Sequence, residues 1–443
     1  MEFDPRAIFV LNRLRNAGYE AFLVGGCVRD FLRNVAPHDY DATTSALPEE
    51  ILRVFPDLPT VETGIRHGTV TVFSDGLPVE VTTYRVDGDY ADGRHPDQVT
   101  FTSRLSEDLA RRDFTVNAMA WSPSEGVVDL YGGREDLANG VLRCVGDPER
   151  RFTEDGLRIL RGLRFASVLE FSIDPAAESA LRALKDRLNL VSAERIREDL
   201  VKLLCGPGTG EVLSRFPEVF GVFLPELLPT VGYDQKNFHH VYPLYQHLIH
   251  TVTAVPPLPC LRLAALLHDV AKPDTASLDG SGVGHYYGHA AKSAEKADEI
   301  LSRLRFSNAE RSRVVTLIRH HDGPIEATPA AVRRKLNKLG ESGFFDLIAL
   351  MRADNLALAP EFRFRQARYD ELEALARRIL TESPCFSLGQ LAVNGKDLLA
   401  LGYRGKEIGE ILQFLLSAVM EERAGNSKED LLNYWKNHKG DLL

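Results

Sequence analysis

The sequence predicts an α+β chain: a small mixed α/β head followed by an elongated, all-helical neck, body and tail. Three observations point there. Runs of β-branched residues in alternation are confined to residues 1–150. Beyond them the apolar spacing becomes helical and stays helical to the end. Nine of the thirteen histidines lie between His239 and His321, which gives that part of the chain a chemistry of its own.

The elements follow in order. "MEFDPRAIFVLNRLRNAG" is acidic and mixed at its start, and reads as an amphipathic helix rather than a signal peptide. "YEAFLVGG" and "GTVTVFSDGLPVEVTTYR" read as strands, with "SDG" as a hairpin turn. Arg85 to Val99, "RVDGDYADGRHPDQV", is glycine-rich, charged and aperiodic, and reads as a mobile loop. "TEDGLRILRGLRFASVLEF" reads as a helix with Thr153 as N-cap and an apolar spacing at Leu157, Leu160 and Leu163. "CGPGTG" and "VPPLPC" mark joints between helical blocks. These signals divide the chain into a head (1–150), a neck (151–215), a body domain (236–360) and a tail (361–443).

Composition narrows the class. A length of 443 residues implies several domains. With 44% hydrophobic and 26% charged residues the chain is of ordinary globular type. The five cysteines, at positions 27, 144, 205, 260 and 385, are scattered and form no CxxC, which argues for a reducing, cytoplasmic setting over a disulfide scaffold. Cys27 reads as a small filler or a sensitive thiol. No apolar run approaches the roughly 20 residues that span a bilayer. A net charge of −10 does not announce nucleic-acid binding, but a local basic face is what counts.

The densest chemistry lies in "VGGCVRDFLRNVAPHDYDATTS", Val24 to Ser45. Gly25 and Gly26 give backbone freedom ahead of a short helix whose N–H groups can cradle phosphate. Arg29 can clamp the same phosphates. Asp39 and Asp41 point the same way on a strand and can hold Mg²⁺ against a polyphosphate. Glu80, on a neighbouring strand, is either a third carboxylate for metal or part of a structural ion pair. In "EDLARRDFTVNAMAW", Arg111 and Arg112 suit phosphate, and Asp113 or Asn117 suits ribose hydroxyls.

"GGCVRD…HDYD" with "RRDFTVNAMA" resembles the nucleotidyltransferase head of the class II CCA-adding enzymes and their poly(A) polymerase relatives, a catalytic core similar to DNA polymerase beta. The resemblance implies transfer of a nucleotide from CTP or ATP to the 3′ end of tRNA, with release of pyrophosphate. It makes Asp39 and Asp41 the catalytic carboxylates holding Mg²⁺. It assigns nucleotide binding to Gly25, Gly26, Arg29, Arg112, Asp113, Asp155, Arg158, Arg161 and Arg164.

The last four belong to "EDGLR" and the turns after it. Asp155 and Arg158, three apart on a helix, would share a face. A carboxylate accepts and a guanidinium donates. Cytosine and adenine both present an amino donor beside a ring-nitrogen acceptor, so one Asp/Arg pair complements both. Guanine and uracil present the reverse and would be rejected. An ion pair decorating a helix is the plainer reading; the match to the family's base-reading motif favours recognition. Choice between C and A is then left to geometry, with the 85–99 loop as lever. In "SAERIREDLVKLL", Ser192 reads as an N-cap, and Glu194, Arg195 and Glu198 as braces.

The body carries "YPLYQHLIHTV", "LRLAALLHDVAKPDT", "GHYYGHAAKSAEKADEI", "TLIRHHDGP" and "LMRADNLA". Imidazoles and carboxylates converging between helices suit Mn²⁺, Fe²⁺, Ni²⁺ or Mg²⁺. The block resembles the HD phosphohydrolase domain. That resemblance makes His247, His268, Asp269 and Asp354 the core ligands of a divalent metal, with His289, His320 and His321 completing a larger site of one or two ions. It implies hydrolysis of phosphoesters, such as a phosphate on a damaged RNA end, by metal-activated water. His239, His240, His250 and His285 read as outer-shell or structural. "NGKDL" and "GYRGKEIG" in the tail resemble the tRNA-binding segment of CCA-adding enzymes. The ending "HKGDLL", without a basic extension, weighs against poly(A) polymerase. Two alternatives stay open: a poly(A) polymerase or A-only adder, and an HD-type phosphohydrolase with an RNA-binding head.

Overall fold

The computed structural model describes residues 2–62, 64–87, 99–382 and 385–439. The chain divides into two compact units, 1–228 and 229–443. The first is a mixed α/β head joined to helices, and the second is helical apart from one short two-stranded ribbon.

In the first unit α1 (Pro5–Asn16) leads into a seven-stranded sheet in the order β3-β4-β5-β2-β1-β8-β9. These strands are β1 (Ala21–Val24), β2 (Tyr40–Thr44), β3 (Thr60–Val61), β4 (Thr69–Ser74), β5 (Leu77–Thr83), β8 (Met119–Ser122) and β9 (Gly126–Asp129). All four residues of β1 are buried. Successive side chains face opposite sides, so Ala21 and Leu23 join the main apolar core while Phe22 and Val24 join a smaller cluster with Tyr84, Leu109 and Ala120. The β4–β5 hairpin turns at Asp75-Gly76, both with positive φ (47° and 78°), between the paired Ser74 and Leu77. That is the two-residue turn expected of Asp-Gly.

β2 and β5 run parallel and set Asp41 beside Glu80. β6 (Arg85–Asp87) and β7 (Val99–Phe101) form a separate antiparallel ribbon. The ends of the segment read as a loop from sequence are therefore strand; residues 88–98 lie outside the described residues.

The start of the neck also departs from the helix its sequence suggests. Thr153 is not an N-cap; it lies inside α4 (Pro148–Glu154), which Asp147 caps by accepting from the Glu149 N–H at 3.1 Å. The helix then breaks. Asp155 is extended (φ −139°, ψ 108°), and α5 (Leu157–Leu169) starts afresh after Gly156. A Cβ on Gly156 would sit 2.7 Å from the Arg187 carbonyl oxygen, so the close approach of that backbone requires glycine there. Asp155 and Arg158 are thus not i and i+3 of one helix. Asp155 stands at the break, and Arg158 lies in the first turn beyond it.

The first unit continues through α6 (Ala193–Leu204) and two short helices, Thr209–Arg215 and Pro217–Phe223. In the second unit, α7 (Leu244–Ala254), α8 (Pro259–Leu267), α9 (His289–Arg303), α10 (Asn308–His320) and α11 (Pro329–Leu356) pack together. α11 is interrupted at Gly340, whose φ of 71° lies outside helical space. The end of the chain has its own apolar core, including Val393, Ile411, Leu415 and Trp435. No helix among the described residues is long and apolar enough to cross a membrane.

Candidate active site and a second ligand cluster

A cavity of about 550 Å³ in the first unit is lined by Gly25, Gly26 and Arg29 from the start of α2 (Gly26–Leu32), and by Asp39 and Asp41 around the start of β2. Arg111, Arg112, Asp113 and Asn117 follow α3 (Leu105–Ala110) and line it too. Asp155, Arg158, Arg161, Arg164 and Phe165 come from the α4–α5 break and α5, and Arg195 and Lys202 from α6. Every head residue named from the sequence as catalytic or nucleotide-binding is brought to this one cavity. Eight lining cations face four lining carboxylates, a charge balance suited to a polyanion.

Gly25 is required twice over. Its φ is +74°, and a Cβ there would lie 3.1 Å from Arg112 Nη1 and 3.7 Å from Asp41 Oδ2. Arg29 is buried, donates to Asn117 Oδ1 at 2.7 Å, and lies 5.3 Å from the Phe165 ring centroid. Burial pushes the Asp41 carboxyl above its ordinary pKa; nearby Arg112 opposes this, while Glu80 and Asp39 add to it. Asp39 and Asp41 therefore offer hard oxygen donors of the kind a divalent cation takes, while Glu80, beside Asp41 on β5, does not line the cavity.

Asp113, read as a ribose acceptor, has both oxygens engaged. Oδ1 accepts from the Phe114 N–H at 2.8 Å and Asn117 Nδ2 at 3.2 Å; Oδ2 accepts from Arg161 Nε at 2.8 Å and Nη2 at 2.6 Å. Burial raises this carboxyl, but Arg161 and these hydrogen bonds outweigh it and hold the group well below the usual range. Its structural work is to aim Arg161. Asp155 accepts from the Leu157 N–H at 3.0 Å and from both Nη atoms of Arg195 at 3.3 and 2.8 Å. Arg158 donates to Glu154 Oε2 at 2.7 Å and to the carbonyls of Arg151 and Arg111, each at 3.1 Å. Each candidate base-reading group is therefore anchored by a different partner. Arg195 thus braces Asp155, and Arg164 is held by Asp199 at 2.6 Å.

Sequence reasoning passed over Asp108. It is fully buried and accepts from Arg111 Nε and Nη2 at 3.0 and 2.7 Å, from Thr43 Oγ1 at 3.1 Å and from Arg112 Nη2 at 3.5 Å. Burial raises its carboxyl, but the two guanidiniums and Thr43 hold it below the ordinary range. The signal was present in "EDLARR": Asp108 stands i−3 and i−4 to the two arginines. Asp108→Ala will leave both guanidiniums without their buried partner and lower stability by about 3 kcal/mol, measured by urea unfolding. An unchanged unfolding midpoint would contradict this.

In the second unit His247, His268, Asp269 and Asp354 set one ligand atom each within 4.8 Å of one another; Asp269, His289 and His321 form a second such group. His247 Nε2 lies 3.0 Å from Asp354 Oδ1, 3.3 Å from His268 Nε2 and 3.5 Å from Asp269 Oδ2. On the other side of the same carboxylate, Asp269 Oδ1 is 3.2 Å from His289 Nε2 and 3.5 Å from His321 Nε2. His268, His289 and His321 each donate Nδ1–H to the carbonyl three residues back, at 2.8, 2.7 and 2.6 Å. This fixes the tautomer of the neutral rings and leaves the Nε2 lone pairs facing the cluster.

Asp269 Oδ1 is buried with no hydrogen-bond partner, as a ligand oxygen would be. Burial disfavours charge on His268, yet Asp269 and Asp354 outweigh it and push the ring up to about 10. The carboxylates favour positive charge at the centre, and this donor set fits a divalent cation.

His320, expected among the ligands, belongs to neither group. Burial and nearby Lys335 and Lys338 lower its pKa to about 4. Of the remaining histidines, His250 stacks on Tyr242 and His239 packs on Phe362. His285 pairs with Asp279 at 2.9 Å, and His240 stands beside His247. The sequence reading also missed Lys272, buried and 2.6 Å from Asp269 Oδ2.

The head and its cavity define a nucleotidyltransferase with the head of the poly(A) polymerase class. The family model described as "Poly A polymerase head domain" matches residues 21–143, and that for "tRNA nucleotidyltransferase domain 2" matches 288–435. A CCA-adding enzyme of Lactobacillus helveticus is 34% identical over 430 residues, covering 97% of this chain and 96% of its own. Another, from Lactobacillus delbrueckii subsp. bulgaricus, is 32% identical over 434 residues, 98% of both chains. This chain belongs to the CCA-adding enzymes. The solved structure of the Bacillus stearothermophilus CCA-adding enzyme in complex with CTP has a TM-score of 0.75 at 28% identity, over 99% of this chain and 98% of that one. The Thermotoga maritima enzyme complexed with tRNA shares the fold (TM-score 0.58, 20% identity, 98% and 96% covered).

Proposed function

We propose that this protein is a complete CCA tRNA nucleotidyltransferase of the cytoplasm, adding CMP, CMP and AMP from CTP and ATP to a tRNA 3′ end. The observation that carries the proposal is the single cavity holding Asp39 and Asp41 together with Asp155, Arg158 and a surplus of guanidiniums. Divalent metal serves this nucleotidyltransferase family, and the chemistry of Asp39 and Asp41, with Glu80 beside them, fits Mg²⁺. When bound there, Mg²⁺ supplies activation of the attacking hydroxyl and charge for the departing pyrophosphate.

Arg29, Arg112, Arg161 and Arg164 take the triphosphate, with Asp108, Asp113 and Asp199 holding three of them in place. The RNA 3′-oxygen bonds to the α-phosphorus, the bond to the β-phosphate bridge breaks, and pyrophosphate leaves. Asp155 accepts from the exocyclic amino group of C or A, and Arg158 donates to the adjoining ring nitrogen. The neck and the 361–443 tail take the tRNA acceptor arm through its shape and phosphates.

The test is a product ladder with CTP alone, ATP alone and both. On tRNA ending before CCA, CTP alone should add two residues and the mixture three. Extension of tRNA ending in CC only would overturn complete CCA addition.

The second ligand cluster supports a further reading, an HD-type metal-dependent phosphohydrolase acting on phosphate esters of RNA ends. The orphaned oxygen of Asp269 and the three pinned imidazoles carry it. In the reaction a water oxygen bonds to phosphorus, the ester P–O bond breaks, and the leaving oxygen takes the proton. His268→Ala should lower bound Mn²⁺ or Ni²⁺, measured by elemental analysis after dialysis, and leave nucleotide addition intact. Equal metal content in both proteins would contradict this.

A further inference from the structure

We propose that the cavity over the second ligand cluster carries a nucleobase shelf, so that the ester it accepts belongs to a ribonucleotide rather than to a small phosphate. The proposal rests on reading that cluster as a phosphohydrolase centre. Tyr287 is 80% exposed, and its ring lies parallel to that of His285, with 3° between planes and 5.5 Å between centroids. His285 is itself fixed. Its Nε2 meets Asp279 Oδ2 at 2.9 Å, while Asp279 Oδ1 accepts from the N–H groups of Ser281 and Val283 at 2.8 and 3.0 Å and from the Ser281 hydroxyl at 2.7 Å.

Both rings line the same cavity, about 320 Å³, as Asp269, His289 and Asp354. A flat aromatic ring stacked on a fixed imidazole and exposed beside a polar cavity suits a planar ligand, and every nucleobase has such a face. The charges extend the match. Arg365 lines the cavity and makes no ion pair among the described residues, and Lys272 is buried against Asp269. An exposed aromatic face in the same cavity as two cations and the ligand cluster complements a base at one end of the ligand and an ester phosphate at the other. The volume is at the lower end of small-molecule sites and suits one nucleotide.

Two measurements on the full chain test this. The first compares hydrolysis of adenosine 2′,3′-cyclic phosphate and p-nitrophenyl phosphate with Mn²⁺ supplied. Tyr287→Ala should raise KM for the nucleotide about tenfold and leave p-nitrophenyl phosphate unchanged, while Tyr287→Phe keeps wild-type values. The second is saturation-transfer NMR with adenosine 3′-phosphate. The base protons should receive less saturation from Tyr287→Ala than from wild type; the first cavity is common to both proteins and cancels. Equal damage to both substrates, or unchanged base saturation in Tyr287→Ala, would overturn the shelf. Wild-type protein that takes up no metal and cleaves neither substrate would overturn the phosphohydrolase reading instead, and the NMR comparison would still decide the shelf.

Discussion

Asp41→Ala will lower nucleotide incorporation at least about a thousandfold, the equivalent of about 4 kcal/mol in the transition state. The size follows from where the carboxylate stands. Asp41 is desolvated, lies beside Glu80 across the β2–β5 ladder, and feels Asp39 as well. Such a group is costly in a fold unless a cation needs it.

The stability effect should therefore run opposite to the activity effect. Because the folded carboxyl is raised above its ordinary pKa, the charged form costs folding free energy at neutral pH, and that cost fades as pH falls toward the unfolded value. In metal-free buffer at pH 7, Asp41→Ala should melt no lower than wild type. A variant that unfolds early would make Asp41 a structural residue; one that still extends tRNA normally would remove it from the chemistry. His268→Ala, in the other unit, is the matched control and should incorporate nucleotide at the wild-type rate.

Asp155→Ala should erode base selection. Each mispaired, desolvated group at a reading site costs on the order of 1–3 kcal/mol, so losing the acceptor should reduce the preference for CTP over UTP by about ten- to a hundredfold. Asp155 also accepts from the Leu157 N–H and binds Arg195, so alanine loosens the α4–α5 break too. Arg195→Ala separates the effects. It keeps the acceptor and loses only the brace, so it should slow CTP and ATP incorporation together while retaining rejection of UTP. Single-turnover rates with each of the four triphosphates read the difference. Equal discrimination in wild type and Asp155→Ala would show that selection lies elsewhere in the cavity.

The parts of this chain that sequence reveals are those where local chemistry and backbone agree. The Asp-Gly turn, the double glycine where α2 begins and the His268-Asp269 step each carry a residue type that the backbone or the chemistry at that point requires. The break at Asp155 was hidden because the apolar spacing runs on smoothly through it; what marks it is the Arg187 backbone, which packs against Gly156 from thirty-one positions further along. Asp108 was hidden for a related reason. On paper it is one more acid in a charged helix, and only burial under two arginines makes it a hub. His320 and His321 are adjacent and chemically identical, so only the helix end separates them: His321 caps α10 and turns toward Asp269, and its neighbour does not.

Asp269 presents one oxygen to each of the two ligand groups in the helical unit. Occupancy of either group must then alter the electron density and orientation available to the other. By thermodynamic reciprocity, a first ion changes the affinity for a second by the same factor as the second changes the first. Loading of this centre would follow a linked isotherm rather than the sum of two independent ones.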